Sequence, residues 1–194
     1  MKATAPQSLR VLIPLEVKHR LDLYIQCSPL EISGLGEAVL IEDNVFYIKN
    51  VFILPQTVSA ASTYLAVPAV GQFLTQLIQE GRDPELIKVW WHSHADMGCF
   101  WSSIDDSTIE KFKNEWMIAI VGNHHGEYKV RVDLYSPVRV VIDDLQLEVV
   151  VDDPDEEMRA EVEAEIAAKV IQAPLPPAVG FNWRKSKWTE GTWL

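Results

Sequence analysis

The run from Leu86 to Trp91 is apolar on both of its faces apart from Lys88, and it ends directly in His92-Ser93-His94. A short segment apolar on both sides reads as a strand buried inside a sheet, with other layers packed over it. The chain must therefore fold around this segment, and its first strongly polar side chains appear at a strand end. In extended backbone, residues i and i+2 point the same way, so His92 and His94 can aim both imidazoles at one point.

The flanking sequence supplies the other layers. Val17, Leu21, Tyr24 and Ile25 share one face of a helix, with Pro14 in its first turn and Pro29 beyond its end. Ile32 to Ile41 and Val45 to Leu54 read as two strands joined at Glu42-Asp43-Asn44. The spacing of Val70, Phe73, Leu74, Leu77 and Ile78 predicts a helix from Pro68 to Glu80, capped by Gly81. After the buried strand, Ser102 or Ser103 caps a helix with Asp105 and Asp106 in its first turn, and Phe112 and Trp116 further along. Met117 to Val121, Tyr128 to Tyr135 and Val138 to Val151 read as three more strands, the first two turning at Asn123-His124-His125-Gly126. The fold class is mixed α/β, a central mixed β-sheet flanked by helices, with a C-terminal helix and a Trp-rich tail.

Three segments follow from composition. Residues 1–151 are expected to form one domain, 152–172 an Ala/Glu-rich helical extension, and 173–194 a Pro-containing linker and basic tail bearing Trp183, Trp188 and Trp193. That many large apolar groups in a tail point to docking, on this chain's own domain, on a second copy or on a partner, and self-docking over a cleft is one form it can take. A net charge of −11 with 17 basic residues disfavours nucleic acid and anionic membrane as partners. No apolar run approaches the roughly 20 residues that span a bilayer, and MKATAPQSLR lacks a signal-peptide core. Cys27 and Cys99 make no disulfide framework, and a cytoplasmic protein is expected.

The motif loop completes a pattern: His92-x-His94, seven residues, Ser102, two residues, Asp105. Two imidazoles and a carboxylate fill three of zinc's four tetrahedral positions and leave the fourth for water, the arrangement of a catalytic site. Zinc brings the pKa of that water toward about 7, and hydrolysis then needs a general base and a group that stabilises an oxyanion. This chain's own residue frequencies make the four spaced residues a chance event of roughly one in a few thousand, which favours a site over coincidence.

HSHADMGCFWSSID matches the H-x-H-x7-S-x2-D signature of the JAMM (JAB1/MPN/Mov34, or MPN+) zinc metallopeptidases, and the chain resembles that family over about residues 10–150. The family also places a glutamate ahead of a Gly-containing strand, where this sequence has Glu31 in PLEISGLG. The resemblance implies an MPN/JAB-like domain holding one Zn2+ per chain on His92, His94 and Asp105. It also implies Glu31 as proton shuttle and Ser102 as oxyanion donor. The implied reaction is cleavage of a peptide or isopeptide bond after the C-terminal glycine of a ubiquitin-like or sulfur-carrier protein, whose tail would bind extended, by strand addition to an exposed edge. Many members carry proline after the second histidine; Ala95 stands here and removes no ligand.

Other readings compete. The same fold without metal residues serves as a non-catalytic scaffold, and a zinc hydrolase of a small amino-acid adduct or of a cell-wall or phage peptide fits the same motif. Nucleobase deamination would want H-x-E and P-C-x-x-C, which the chain lacks. Ser102 and Asp105 also suit a plain helix N-terminus, Glu37 and Asp96 compete with Glu31 as the base, and His124-His125 suits a solvated turn. Cys99 is read as an uninvolved thiol, and Trp90, Trp91 and Trp101 as core or cleft wall.

Overall fold

The computed structural model describes residues 8–58, 63–112, 114–151 and 156–169. The chain divides into two units, residues 1–152 and 153–194. In the second, the described part is one helix, α4 (Glu156–Lys169); the Trp-rich tail and its linker lie outside the described residues.

The first unit is built on one eight-stranded sheet. In chain order its elements are β1 (Arg10–Pro14), α1 (Leu15–Cys27), β2 (Ser33–Glu42), β3 (Val45–Ile53), the short β4 (Gln56–Val58) and β5 (Thr63–Leu65), and α2 (Val67–Gln79). There follow β6 (Ile87–Ser93), α3 (Ser103–Ile109), β7 (Trp116–Gly122), β8 (Tyr128–Leu134), β9 (Val140–Leu145) and β10 (Leu147–Val150). The strand order is β10-β1-β3-β2-β6-β7-β8-β9, while β4 and β5 pair only with each other. β1 runs parallel to β3 and β10, and β6 parallel to β7; the other pairs are antiparallel. The outermost strands, β9 and β10, are consecutive in sequence with only Gln146 between them. One stretch of chain thus pairs with β8 and then with β1, which curls the sheet back on itself. The sequence pattern predicted one strand over residues 138–151; it divides at Gln146, two residues after Asp144, whose backbone is left-handed (φ 57°).

Each face of the sheet carries its own core. On one face Val17, Leu21 and Ile25 of α1, spaced four residues apart, pack with Val11, Ile48, Trp91, Ile118 and Val132. Each such side chain contributes about 1.5–3 kcal/mol by leaving water. On the other face α2 brings Leu77, Phe73 and Leu74 against Leu35, Trp90, Met117 and Ile109 of α3. Gly81 (φ 74°) ends α2 as expected: its N–H donates to the Ile78 carbonyl and that of Arg82 to Leu77. Two expectations differ. Pro14 ends strand β1 and serves as the N-cap of α1 rather than lying in the first turn, and α3 stops at Ile109, so Trp116 opens β7 instead of continuing the helix. No helix among the described residues is long and apolar enough to cross a membrane.

Trp91 locks β6 to its neighbour. Its indole stacks on Tyr24 at 5.5 Å, and its N–H donates to the carbonyls of Leu35 and Phe52, each at 3.2 Å. Gly34 makes this possible, because a Cβ there would lie 2.0 Å from the Phe52 carbonyl oxygen and 2.5 Å from the indole.

Candidate metal centre

Register places the site. In the antiparallel β2–β6 pair Ser33 stands opposite His92, so Glu31, two residues earlier, comes opposite His94. The step is fixed by Ser93, fully buried between the two histidines: its N–H donates to the Ile32 carbonyl (2.8 Å) and its Oγ accepts from the Ile32 N–H (3.0 Å). The parallel neighbour β7 requires a crossover from β6, and the motif loop with α3 is that crossover. Residues that end β6 and begin α3 therefore meet outside the carboxyl ends of two parallel strands, where ligands gather in such sheets.

His92, His94 and Asp105 are all buried, and their ligand atoms lie within 4.8 Å of one another. His92 Nε2 is 3.2 Å from both His94 Nε2 and Asp105 Oδ1, and His94 Nε2 is 3.7 Å from Asp105 Oδ2. Zinc–ligand bonds of about 2.0–2.1 Å put tetrahedral neighbours ~3.3 Å apart, so this donor set fits a zinc ion by spacing and by chemistry. The tautomer fits as well: His94 Nδ1 lies 3.1 Å from the Gly98 carbonyl, and donating to it leaves Nε2 with its lone pair toward the centre. His92 stacks on Trp90 at 4.5 Å, and its buried Nδ1 makes no hydrogen bond of normal geometry.

The electrostatics favour a cation. Burial by itself would raise the Asp105 pKa, but the adjoining His92 and His94 imidazoles and the Ser102 hydroxyl outweigh it and hold the carboxyl well below the usual range. Burial lowers the His92 pKa. It would lower His94 too, yet Asp105, the Gly98 carbonyl and Glu31 raise that imidazole above its ordinary value. Glu31 is 6% exposed, and burial pushes its pKa up, as a proton carrier requires. Its two competitors are occupied elsewhere: Glu37 pairs with Arg82 at 2.6 Å, and Asp96 with His124 at 2.8 Å.

Ser102 is the N-cap of α3. Its Oγ accepts from the Asp105 N–H and donates to Asp105 Oδ2 (2.7 Å), while Oδ2 also accepts from the Ser102 N–H (2.8 Å), a complete capping box. The hydroxyl proton is thus spent on orienting the carboxylate. Ala95, in the place where proline was expected, takes a left-handed φ of 46° that proline's ring forbids and that costs an alanine about 1–2 kcal/mol.

Of the tryptophans, Trp90 and Trp101 flank His92, whereas Trp91 lies in the core of the opposite face. Cys99 donates to the Glu127 carbonyl (3.3 Å), and burial pushes its thiol up to about 11, a group without a part in the site. A cavity of about 850 Å³ opens from the Glu31–His92–His94–Asp105 cluster toward apolar walls that include Leu65, Leu74, Ile87 and Trp90.

His124 does more than a solvated turn residue. Its Nε2 lies 2.9 Å from the Ser28 carbonyl and 3.1 Å from that of Ile25, at the end of α1, while its Nδ1 meets Asp96 in the motif loop. It clasps the segment leading to Glu31 onto the motif loop, a role with no local sequence signal. Asp96 and the Ser28 carbonyl raise its pKa. A histidine raised in the fold stabilises below its unfolded pKa and loses that contribution as pH rises through the folded value. In metal-free protein, His124→Gln is therefore expected to lower the melting temperature more near pH ~5.5 than near pH ~8.5. An equal effect at both would remove the charged clasp.

Comparison with known proteins adds sequence likeness. The chain is 33% identical over 96 residues to the 26S proteasome non-ATPase regulatory subunit 14 of Drosophila melanogaster, covering 48% of this chain and 31% of that protein. It is 34% identical over 97 residues to ubiquitin carboxyl-terminal hydrolase RPN11 of Saccharomyces cerevisiae, again 48% of this chain and 31% of the relative. The match thus spans under a third of either relative's length. Protein DSY2949 of Desulfitobacterium hafniense, known from its solution structure, shares the fold with a TM-score of 0.53 over 76% of this chain and 96% of its own, at 11% identity. No family model matches the chain.

Proposed function

We propose that this chain, similar over about half its length to a 26S proteasome regulatory subunit and to ubiquitin carboxyl-terminal hydrolase RPN11, is a zinc-dependent hydrolase of the JAMM (JAB1/MPN/Mov34) type with an MPN/JAB-like catalytic domain in residues 1–151. Its substrate in this reading is a peptide or isopeptide bond after the C-terminal glycine of a ubiquitin-like or sulfur-carrier protein. The observation that carries the reading is the convergence of all five motif residues on the wall of one cavity. A scaffold has no need of two buried imidazoles and two buried carboxylates at one point, since burying such groups costs free energy. The two free thiols fit a reducing, cytoplasmic setting.

His92, His94 and Asp105 would hold the ion through two Nε2 atoms and a carboxylate oxygen. Zinc held there supplies a Lewis acid that lowers the pKa of water toward about 7 and polarises a carbonyl. Glu31 takes the proton from the attacking water and returns it to the leaving amine; its raised pKa suits both transfers near neutral pH. Ser102 keeps Asp105 aimed, and its hydroxyl serves an oxyanion once its proton turns away from Oδ2. Trp90, Trp101 and Phe100 wall the histidines and limit water.

The substrate tail would lie extended beside β5, whose Thr63 and Leu65 line the cavity. That strand is tied to the catalytic end of β2, because Ser33 Oγ meets Thr63 Oγ1 at 3.0 Å and Gln56 bridges Ser33 and Thr63. Strand addition to this ribbon would give the tail its main-chain hydrogen bonds. The test is incubation of zinc-loaded protein with ubiquitin-like and sulfur-carrier proteins extended past their terminal glycine, read by mass spectrometry. Cleavage after that glycine is expected. Intact substrates beside a hydrolysed small peptide amide would move the activity to small adducts or peptides, and no hydrolysis of either would support the scaffold.

A further inference from the structure

The third ligand stands on the weakest element of the site. α3 has seven residues, too few to persist as a helix unaided, so its place over the sheet must be fixed by contacts beyond its own turns. One contact is apolar, the full burial of Ile109. Another is a hydrogen bond from the Tyr135 hydroxyl to the Ile109 carbonyl (2.8 Å), and ionic contacts lead to β8. Arg131, 4% exposed, donates from Nε to Asp133 (2.9 Å) and from Nη1 to Asp106 (2.7 Å), the residue after the ligand. Its guanidinium also lies 4.8 Å from the ring centre of Trp101, the residue before Ser102. A single side chain thus grips both ends of the segment that carries Ser102 and Asp105.

The surroundings make that grip stiff. Asp133 is fully buried and also accepts two bonds from Arg139, whose Nη1 reaches Glu110 at the other end of α3 (2.6 Å). Trp101 is pinned in turn, its indole N–H donating to Asp143 (2.9 Å). Across the strands, Trp90, Ala119 and Arg131 form one row. Trp90 stacks on His92 at one end of this row, and Arg131 on Trp101 at the other. This row and the ion pair with Asp106 link His92 on β6, and His94 just beyond its end, to Asp105 on α3. Nothing in the proton chemistry needs a buried guanidinium here.

We propose that Arg131 is a positioning residue that sets Asp105 at ligating distance from His92 and His94, acting through Asp106 and Trp101. The proposal rests on the metal-site reading above. Arg's planar fork is what allows two carboxylates and a ring face to be held at once, which neither lysine nor an apolar residue of similar length does.

The test is zinc affinity, measured by competition with a chromogenic chelator on folded Arg131→Met and Asp106→Ala proteins, beside thermal unfolding of the metal-free chains. Asp106 is half exposed, so its variant keeps the fold even if the arginine variant does not. Loss of a group bonded directly to a ligand lowers metal affinity by about ten- to a hundredfold; Arg131 acts one residue further out, so a loss at the lower end, about tenfold, is expected for Arg131→Met, with a smaller one for Asp106→Ala. The double variant should bind no more weakly than Arg131→Met alone, because both changes cut one connection. A lower melting temperature with zinc affinity within about twofold of native in either folded variant would make the role merely structural and overturn the proposal. A native chain that takes up no zinc would overturn the metal-site reading and this inference with it.

Discussion

Glu31→Gln is expected to lower the rate of bond cleavage by about 10²–10⁴-fold while leaving zinc content at its native level. The amide fills the space of the carboxyl but neither accepts nor returns a proton at neutral pH, so the change isolates proton transfer from metal binding. Glu31 supplies none of the three clustered ligand atoms. It sits opposite His94 through the Ser33–His92 register and the Ser93–Ile32 hydrogen bonds, and neither depends on its charge. Since burial penalises its carboxylate, the variant should melt no lower than native. Rate and zinc content in parallel check the assignment. Loss of both would make Glu31 part of the metal's support, and loss of neither would return the base to an unidentified group.

A larger effect is expected for the paired substitution His92→Ala and His94→Ala. Hydrolysis should fall to background, a loss on the order of 10⁴-fold or more, because metal activation of water and carbonyl carries much of the acceleration, about 10⁶-fold and up, that enzymes provide. Zinc should be lost with it. The fold should survive at a cost: Trp90 loses its stacking partner and buried Asp105 keeps only Ser102, together about 1–3 kcal/mol. Circular dichroism of the variant checks that the sheet remains. Retention of activity would mean that the cleavage resides in other groups.

The grouping of His92, His94 and Asp105 was legible in the sequence because strand and helix geometry dictate spacing. His92 and His94 obey the period of a strand, and Asp105 obeys the preference of a helix's first turn for acids. What escaped notice depends on partners far along the chain. β1 is five residues long, and its ladder to β10 joins Val11 to Leu147, a pairing that no local pattern announces. The β4–β5 ribbon is held to β2 by the side chains of Gln56 and Thr63 rather than by an apolar face. Ser93, His124 and Arg131 look like ordinary polar residues until the fold brings Ile32, Asp96 and Asp106 to them. Ser102 shows the converse: the sequence allowed two roles, and the hydrogen bonds found are those of the N-cap and of an outer partner to Asp105.

The most direct measurement is the zinc content of the purified native chain, by elemental analysis after exposure to zinc and removal of the excess. Close to one zinc per chain is the expected result, as two Nε2 atoms and one carboxylate at this spacing form a single three-ligand site. A chain that remains free of metal, in a preparation never exposed to chelator, would contradict the account and leave a folded scaffold in place of a hydrolase.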